Sequence, residues 1–358
     1  MTTPFTLHCP LPLAAKDKIL LGHGSGGTLS ADLLRTLILP AFANPILSRL
    51  DDQAILKIND TRLAFTTDSF VVKPLFFKGG DIGSLAVHGT VNDLAMGGAK
   101  PLYLSVALIL EEGLPLDTLQ RVINSLSQAA RSAGVQIVTG DTKVVERGSA
   151  DGLFINTTGI GLVPSHVHLS ASAARPGDKI LLSGSLGDHG IAILAEREGL
   201  EFDSEIQSDS AALHTLVEAV LDTSLNQNGP AIRCLRDPTR GGLASSLNEI
   251  AEQSQVSMEL DETAIPIREE VRGACEMLGL DPLYVANEGK LVAIVDAEAA
   301  HEILAAMRRH PLGRDSQIIG TVGGSASGSL AGLVTMRTPF GTTRIVSMLT
   351  GDQLPRIC

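Results

Sequence analysis

Residues 89–110, GTVNDLAMGGAKPLYLSVALIL, hold the end of a helix, a Gly-Gly-Ala-Lys-Pro break and a strand, in that order. The helix is predicted over 83–97, with Leu85, Val87 and Val91 around His88, which is expected to be a packed histidine, and it carries Asn92 and Asp93. The strand YLSVALIL leads to a second helix near 116–133, where Leu119, Val122, Ile123, Leu126 and Ala130 keep helical spacing. Upstream lies a hairpin, AILKI and RLAFTTDSFVV around an Asn59-Asp60 turn; downstream lie the strands VQIVTGDTKVV and LFINTTGIGLV. Farther upstream, ILL at 19–21 reads as a short strand, followed by GHGSGG and a helix with Leu29, Leu33, Leu34, Leu37 and Ile38 on one face.

The segment PSHVHLSASAARPGD (164–178) has no sustained period and is taken as a boundary. Beyond it, helical patterns near 187–199, 211–221, 241–254, 267–278 and 297–309 alternate with strands. Those strands are KILLSG, 256–260, 283–286, 290–295, 317–322, GLVTMRT and TRIVSML. Such mixing gives two α/β (α+β) domains, 1–166 and 167–348, and a tail, 349–358, bearing Cys358. A length of 358 residues and 44% hydrophobic composition suit two cores.

A net charge of −12 and 3% aromatic residues argue against binding to nucleic acid through phosphates or stacked bases. No apolar run is long enough to span a membrane, and the N-terminus has no secretory pattern, so a cytoplasmic protein is expected. Cys9, Cys234, Cys275 and Cys358 are too scattered for a disulfide framework or a zinc knuckle.

The chemistry lies in a series of acids at strand ends and helix starts: Asp51-Asp52, Asp68, Asp93, Asp141 and Asp237. One such Asp is commonly a cap or turn residue. Several of them converging on one crevice would suit magnesium, a hard ion that takes carboxylate and phosphate oxygens. Lys143 is either an exposed strand lysine or a partner for phosphate or a substrate carbonyl. Glu288, in VANEGKLVAIV, is either a turn acid or a general base. Gly22–Gly27 satisfies G-x-G-x-x-G and is either a dinucleotide fingerprint, a mobile loop or a lid over a nucleotide. A nicotinamide-dependent oxidoreductase and a non-enzymatic nucleotide-responsive scaffold are therefore alternatives.

The DD, TTD, ND-x-x-x-x-G, TGDTK and D-x-T-x-GG signatures run in order along the chain. In them the sequence resembles the superfamily of aminoimidazole-ribonucleotide synthetase, selenophosphate synthetase and thiamine-monophosphate kinase. GHGSGG, RDPTRGGLA, VANEGK and the ending LPRIC make it most similar to the hydrogenase-maturation branch. Selenophosphate synthetases usually carry a reactive Cys or selenocysteine in the glycine loop, whereas Ser25 stands here.

The resemblance implies an N-terminal domain forming a barrel across a homodimer, a C-terminal α/β domain and a flexible tail. It implies ATP and Mg2+ as cofactors, with Asp51, Asp93 and Asp237 as metal ligands and Asp68 shared between metal and nucleotide. Asp52 would stand behind them. Gly140 and Asp141 would contact the nucleotide, and Lys143 and Glu288 would orient and deprotonate a carboxamide. The implied activity is ATP-dependent dehydration of an S-carbamoyl group on Cys358 to a thiocyanate, the source of a cyanide ligand of [NiFe]-hydrogenase. The implied partners are a carbamoyltransferase that loads Cys358 and an iron-holding scaffold. Arg356, beside Cys358, is expected to favour its thiolate.

Overall fold

The computed structural model describes residues 18–200, 206–224, 231–324, 331–351, 354 and 356–358; Cys9 and Pro355 lie outside this set. Among the described residues, a 3-10 turn (Leu21–Gly24) precedes two short helices, α1 (Thr28–Leu33) and α2 (Leu39–Phe42), which are joined by a π-helical turn. They are followed by β1 (Ala54–Ile58), β2 (Thr61–Phe70), the small ribbon β3 (Phe76–Phe77) and β4 (Gly80–Asp81), and α3 (Ile82–Met96). Next come β5 (Lys100–Glu111), α4 (Leu116–Ser132), β6 (Gln136–Val145) and β7 (Leu153–Leu162). The long strands form one sheet in the order β1-β2-β7-β5-β6, antiparallel except for the β5–β6 pair.

Asp81 starts α3 as a cap, accepting hydrogen bonds from the Gly83 and Ser84 amides at 2.7 and 3.2 Å while Ser84 reaches back. α3 is buried nearly all round because the sheet covers one side of it and the second half of the chain the other. Asn92 makes that second junction: its amide donates to the carbonyls of Ala211 and Glu288 at 3.0 and 3.2 Å and accepts from the Leu213 amide at 2.8 Å. The other face of the sheet stays open. Phe65, Ile160 and Tyr103, neighbours across three strands, are 38–44% exposed there.

The second half contains β8 (Lys179–Leu182), α5 (Asp188–Glu198), α6 (His214–Ser224), β9 (Ile232–Arg236), α7 (Gly242–Ser254), β10 (Ser257–Asp261) and α8 (Glu269–Leu278). It ends with β11 (Val292–Val295), α9 (Ala300–Arg309), β12 (Gln317–Gly323), β13 (Val334–Arg337) and β14 (Thr343–Ile345). Its sheet runs β14-β13-β10-β12-β8-β11-β9. α6 and α9 bury Leu216, Val220, Ile303 and Met307 on one face, and α7 buries Leu243, Leu247 and Ile250 on the other. Each such side chain contributes about 1.5–3 kcal/mol by leaving water.

Three sequence expectations change. Residues 19–20 form no strand, and Leu21–Gly24 is a 3-10 turn. The strand expected at 283–286 is a 3-10 turn, Pro282–Tyr284, because Asp281 caps the Leu283 amide and Pro282 presets the turn. β9 was not anticipated: IRCLR shows no clean alternation, and its arginines are buried against Asp178, Asp296, Asp52 and Glu249. Among the described residues, no helix is long and apolar enough to cross a membrane.

Candidate functional site

A cavity of about 400 Å³ opens where the two halves meet. β2 delivers Asp68, α3 delivers Gly89 and Asp93, and the turn after β9 delivers Asp237, Thr239 and Arg240. Glu288, Asp52 and Cys358 complete the wall, and the loop from His23 to Gly26 covers it. That loop fits only glycine at two points. A side chain at Gly26 would meet the Arg240 carbonyl at 2.4 Å, with φ at +74°, and one at Gly27 would meet the Leu349 carbonyl at 2.1 Å. No strand precedes this loop among the described residues, so it lacks the strand–turn–helix context of a dinucleotide fingerprint.

The acids are crowded and withdrawn from water. Burial, then the neighbouring Asp237, Asp68 and Asp52, hold the Asp93 carboxyl well above its usual range; the Thr66 hydroxyl 2.8 Å away opposes this. Burial pushes Asp237 up to about 6 against the pull of Arg236. Asp52 is pushed up to about 8, again by burial, although Arg236 sits 3.0 Å away. Asp68 is raised by burial against Arg240 and the Ser69 amide.

Burial is the first cause of each rise, and a cation taken up among these carboxylates would favour their ionised form. Among the described residues, no three metal-binding side chains stand close enough to hold one ion by themselves. Magnesium does not need that arrangement, since it takes one or two carboxylates and completes its shell with phosphate and water. The donor set fits a magnesium–phosphate complex.

The same acids set a stability prediction. Their pKa values are raised in the folded state, so the fold holds protons that the unfolded chain gives up near the ordinary aspartate value of about 3.9. That contribution is fully present at low pH and is lost as pH rises through 6 and 8. Magnesium-free protein is expected to lose about 1–3 kcal/mol between pH 6 and pH 8, less when Mg-ATP is present. Thermal unfolding in EDTA checks this; a midpoint that climbs over that interval contradicts it.

Cys358 lies inside the crevice. Burial pushes its thiol up to about 12, with Arg240 opposing and Glu288 and Asp68 adding to the rise. Glu288 is itself buried and raised well above its usual range by burial, with Arg240 the counteracting cation. Arg356 does not serve the thiol as expected, because it pairs with Asp151. Arg240, which the sequence reading passed over, is the cation that faces Cys358, Asp68 and Glu288, and its guanidinium donates to the Gly24 carbonyl at 3.2 Å. Its signal was available as the one cation inside D-x-T-x-GG.

Four of the expected site residues stand elsewhere. Asp51 turns out of the cavity, pairing with Arg49 at 3.1 Å and accepting the Ala171 amide at 3.1 Å, while Asp52 lines the crevice. Gly140, Asp141 and Lys143 lie on β6, an edge strand of the first sheet. Asp141 and Lys143 are 62% and 69% exposed and pair with each other at 2.8 Å; the Lys143 hydrogen bond keeps Asp141 below its usual range.

Residues 50–163 match the AIR synthase related protein, N-terminal domain, and residues 175–332 match the AIR synthase related protein, C-terminal domain. The chain is 58% identical to the carbamoyl dehydratase HypE of Azotobacter vinelandii over 94% of its own length and 96% of that protein. Its fold is similar to a hydrogenase maturation protein HypE solved in complex with ATP, with a TM-score of 0.79 and 53% identity over 95% of this chain and 100% of that one. It is also similar to a chain of a HypE–HypF complex, with a TM-score of 0.82 and 47% identity over 88% and 99% of the two chains. On this likeness over nearly its whole length, the chain belongs to the carbamoyl dehydratase HypE family of AIR synthase related proteins.

Proposed function

We propose that this protein uses ATP to dehydrate an S-carbamoyl group on its own Cys358, leaving a thiocyanate whose nitrile becomes a cyanide ligand of [NiFe]-hydrogenase. The observation that carries the reading is the position of Cys358 in one crevice with Asp68, Asp93, Asp237 and Glu288. A carboxamide oxygen is a poor leaving group. Phosphorylating it with the γ-phosphoryl of ATP, as one N–H proton departs, makes an imidate phosphate and ADP. Loss of the second N–H proton then expels phosphate and forms C≡N.

Glu288 is placed to take a proton when ionised, since it is buried in the same crevice as Cys358 and faces the Arg240 cation. Arg240 neutralises charge that gathers between Glu288 and the loaded sulfur. Asp68, Asp93 and Asp237, with Asp52 in the place first given to Asp51, would hold magnesium; its chemistry is charge neutralisation on the triphosphate.

Gly140, Asp141 and Lys143 join this scheme through a second copy of the chain. The open face at Phe65, Tyr103 and Ile160 and the exposed edge β6 suit pairing of two sheets into a barrel in a homodimer. For these residues to act, β6 of one copy must reach the crevice of the other in that dimer. Loading requires a HypF-type carbamoyltransferase, and delivery an iron-holding scaffold. The unpaired thiols of Cys234 and Cys275 suit the reducing cytoplasm.

Glu288→Gln tests the assignment. Loading of Cys358 is expected to persist while dehydration falls at least about a hundredfold, the size of a lost general base. Failure of loading itself in a folded variant, or an undiminished rate of dehydration, sinks the base role.

A further inference from the structure

We infer that His189 is a positioning residue that holds Cys358 in register with Glu288, through the loop 208–211 on which both rest. The inference builds on the roles of Cys358 and Glu288 proposed above. His189 is fully buried at the start of α5, edge-on to Phe77. Its Nε2 lies 2.7 Å from the Ile357 carbonyl, and its Nδ1 lies 2.8 Å from the Ser208 hydroxyl. A carbonyl only accepts, so Nε2 carries the proton and Nδ1 accepts from Ser208. Ser208 Oγ in turn accepts the Ser210 amide at 3.1 Å.

The next residues of the same loop hold Glu288. Asp209 accepts the Glu288 amide at 3.0 Å and pairs with Lys290 at 2.9 Å, and the Ala211 amide donates to the Glu288 carbonyl at 3.4 Å. One short segment therefore fixes the peptide that carries the base and, through His189, the peptide bond that joins Ile357 to Cys358. The tail has further main-chain anchors: the Val71 amide donates to the Cys358 main-chain oxygen at 2.9 Å, and the Lys73 amide to the Arg356 carbonyl at 3.3 Å. Arg197 also donates to the Arg356 carbonyl, at 2.7 Å. None of these contacts involves the Cys358 sulfur. His189 is the one that ties the tail to the loop beneath Glu288.

Hydrogen exchange in the full-length protein reads the latch directly, because the Val71 and Lys73 amides donate to the Cys358 and Arg356 main-chain oxygens of the docked tail. In His189→Asn, which keeps an amide near Ser208 but withdraws the donor from Ile357, exchange at 71 and 73 is expected to quicken about tenfold, as for one lost hydrogen bond. Amides in β8 and β11 should keep their native rates. Single-turnover dehydration of loaded Cys358 should slow by a similar factor, and loading by the transferase should not slow. His189→Gln, whose amide reaches the Nε2 position, should recover both rates. Native exchange and native dehydration in His189→Asn overturn the inference. If loaded native protein is not dehydrated with Mg-ATP, the dehydratase reading falls, and the exchange rates still decide the latch. Should His189→Asn unfold, Ser208→Ala takes its place, and unchanged exchange at 71 and 73 in that variant overturns the latch.

Discussion

Replacing Cys358 with alanine is expected to abolish carbamoyl loading and nitrile formation while leaving the fold and Mg-ATP binding intact. The side chain removed is small and sits on a tail that is anchored by main-chain oxygens and by Leu354 and Ile357, so little packing is lost. The other described cysteines cannot substitute. Cys234 is buried on β9 beneath α7 and Cys275 is buried within α8, both held in regular elements of the core, whereas Cys358 ends a tail. Cys234→Ala and Cys275→Ala are expected to load normally, as is Cys9→Ala. Docked, the Cys358 thiol is protonated, which makes it a poor nucleophile in the crevice. On the proposed reading, an undocked tail would be loaded in the transferase and the docked tail dehydrated. Normal cyanide delivery by Cys358→Ala removes the central residue of this account.

The second large effect is expected from Asp93→Asn. Its carboxylate projects from α3 into the cavity, close to Thr66 and among Asp52, Asp68 and Asp237. A neutral amide forfeits a charged ligand at a hard-metal site, so turnover of loaded Cys358 should fall at least about a hundredfold. Burial and acidic neighbours already hold this carboxyl well above its usual range, so a neutral amide suits the magnesium-free site, and that protein should be no less stable than the native chain. The stabilisation that Mg-ATP gives the native protein should be lost. A purely structural role for Asp93 gives the opposite pattern, a less stable apoprotein that still gains from Mg-ATP. Unchanged ATP consumption with unchanged magnesium dependence refutes the ligand role.

Local pattern made the long elements legible. α3 and α4 show helical spacing, and β2, β5, β6 and β7 are long strands rich in β-branched and apolar side chains, so all were readable from residues alone. Short elements were not. Whether three residues such as 19–21 form a strand depends on a neighbour to pair with, and no sequence window contains that neighbour. β9 was hidden because its arginines are neutralised by acids outside the strand, Asp178 and Asp296 for Arg233, Asp52 and Glu249 for Arg236.

The site divides in the same way. Asp68 and Asp93 are carried by β2 and α3, both legible in the sequence, whereas Asp237 follows β9, which was not, and Glu288 lies in the loop before β11. Asp51 and Asp52 are adjacent in an irregular stretch, and which one faces the crevice is decided by Arg49 and Ala171 on one side and Arg236 on the other. Gly140, Asp141 and Lys143 were readable as a motif, but their distance from the crevice within one chain is a property of sheet order, which the motif does not carry. Arg240 and His189 gave weak signals because a lone Arg in a turn or a lone His in an apolar helix is ordinarily structural.

The central claim is that one sulfur carries the substrate and that Mg-ATP acts on it there. Native protein is incubated with carbamoyl phosphate, the transferase and ATP, digested, and its peptides are mapped by mass before and after magnesium is added. The account predicts a carbamoyl adduct on the peptide ending at Cys358, which then loses the mass of one water in step with ADP formation. An adduct on Cys234 or Cys275, or ADP formation with no change in the mass of the Cys358 peptide, contradicts it.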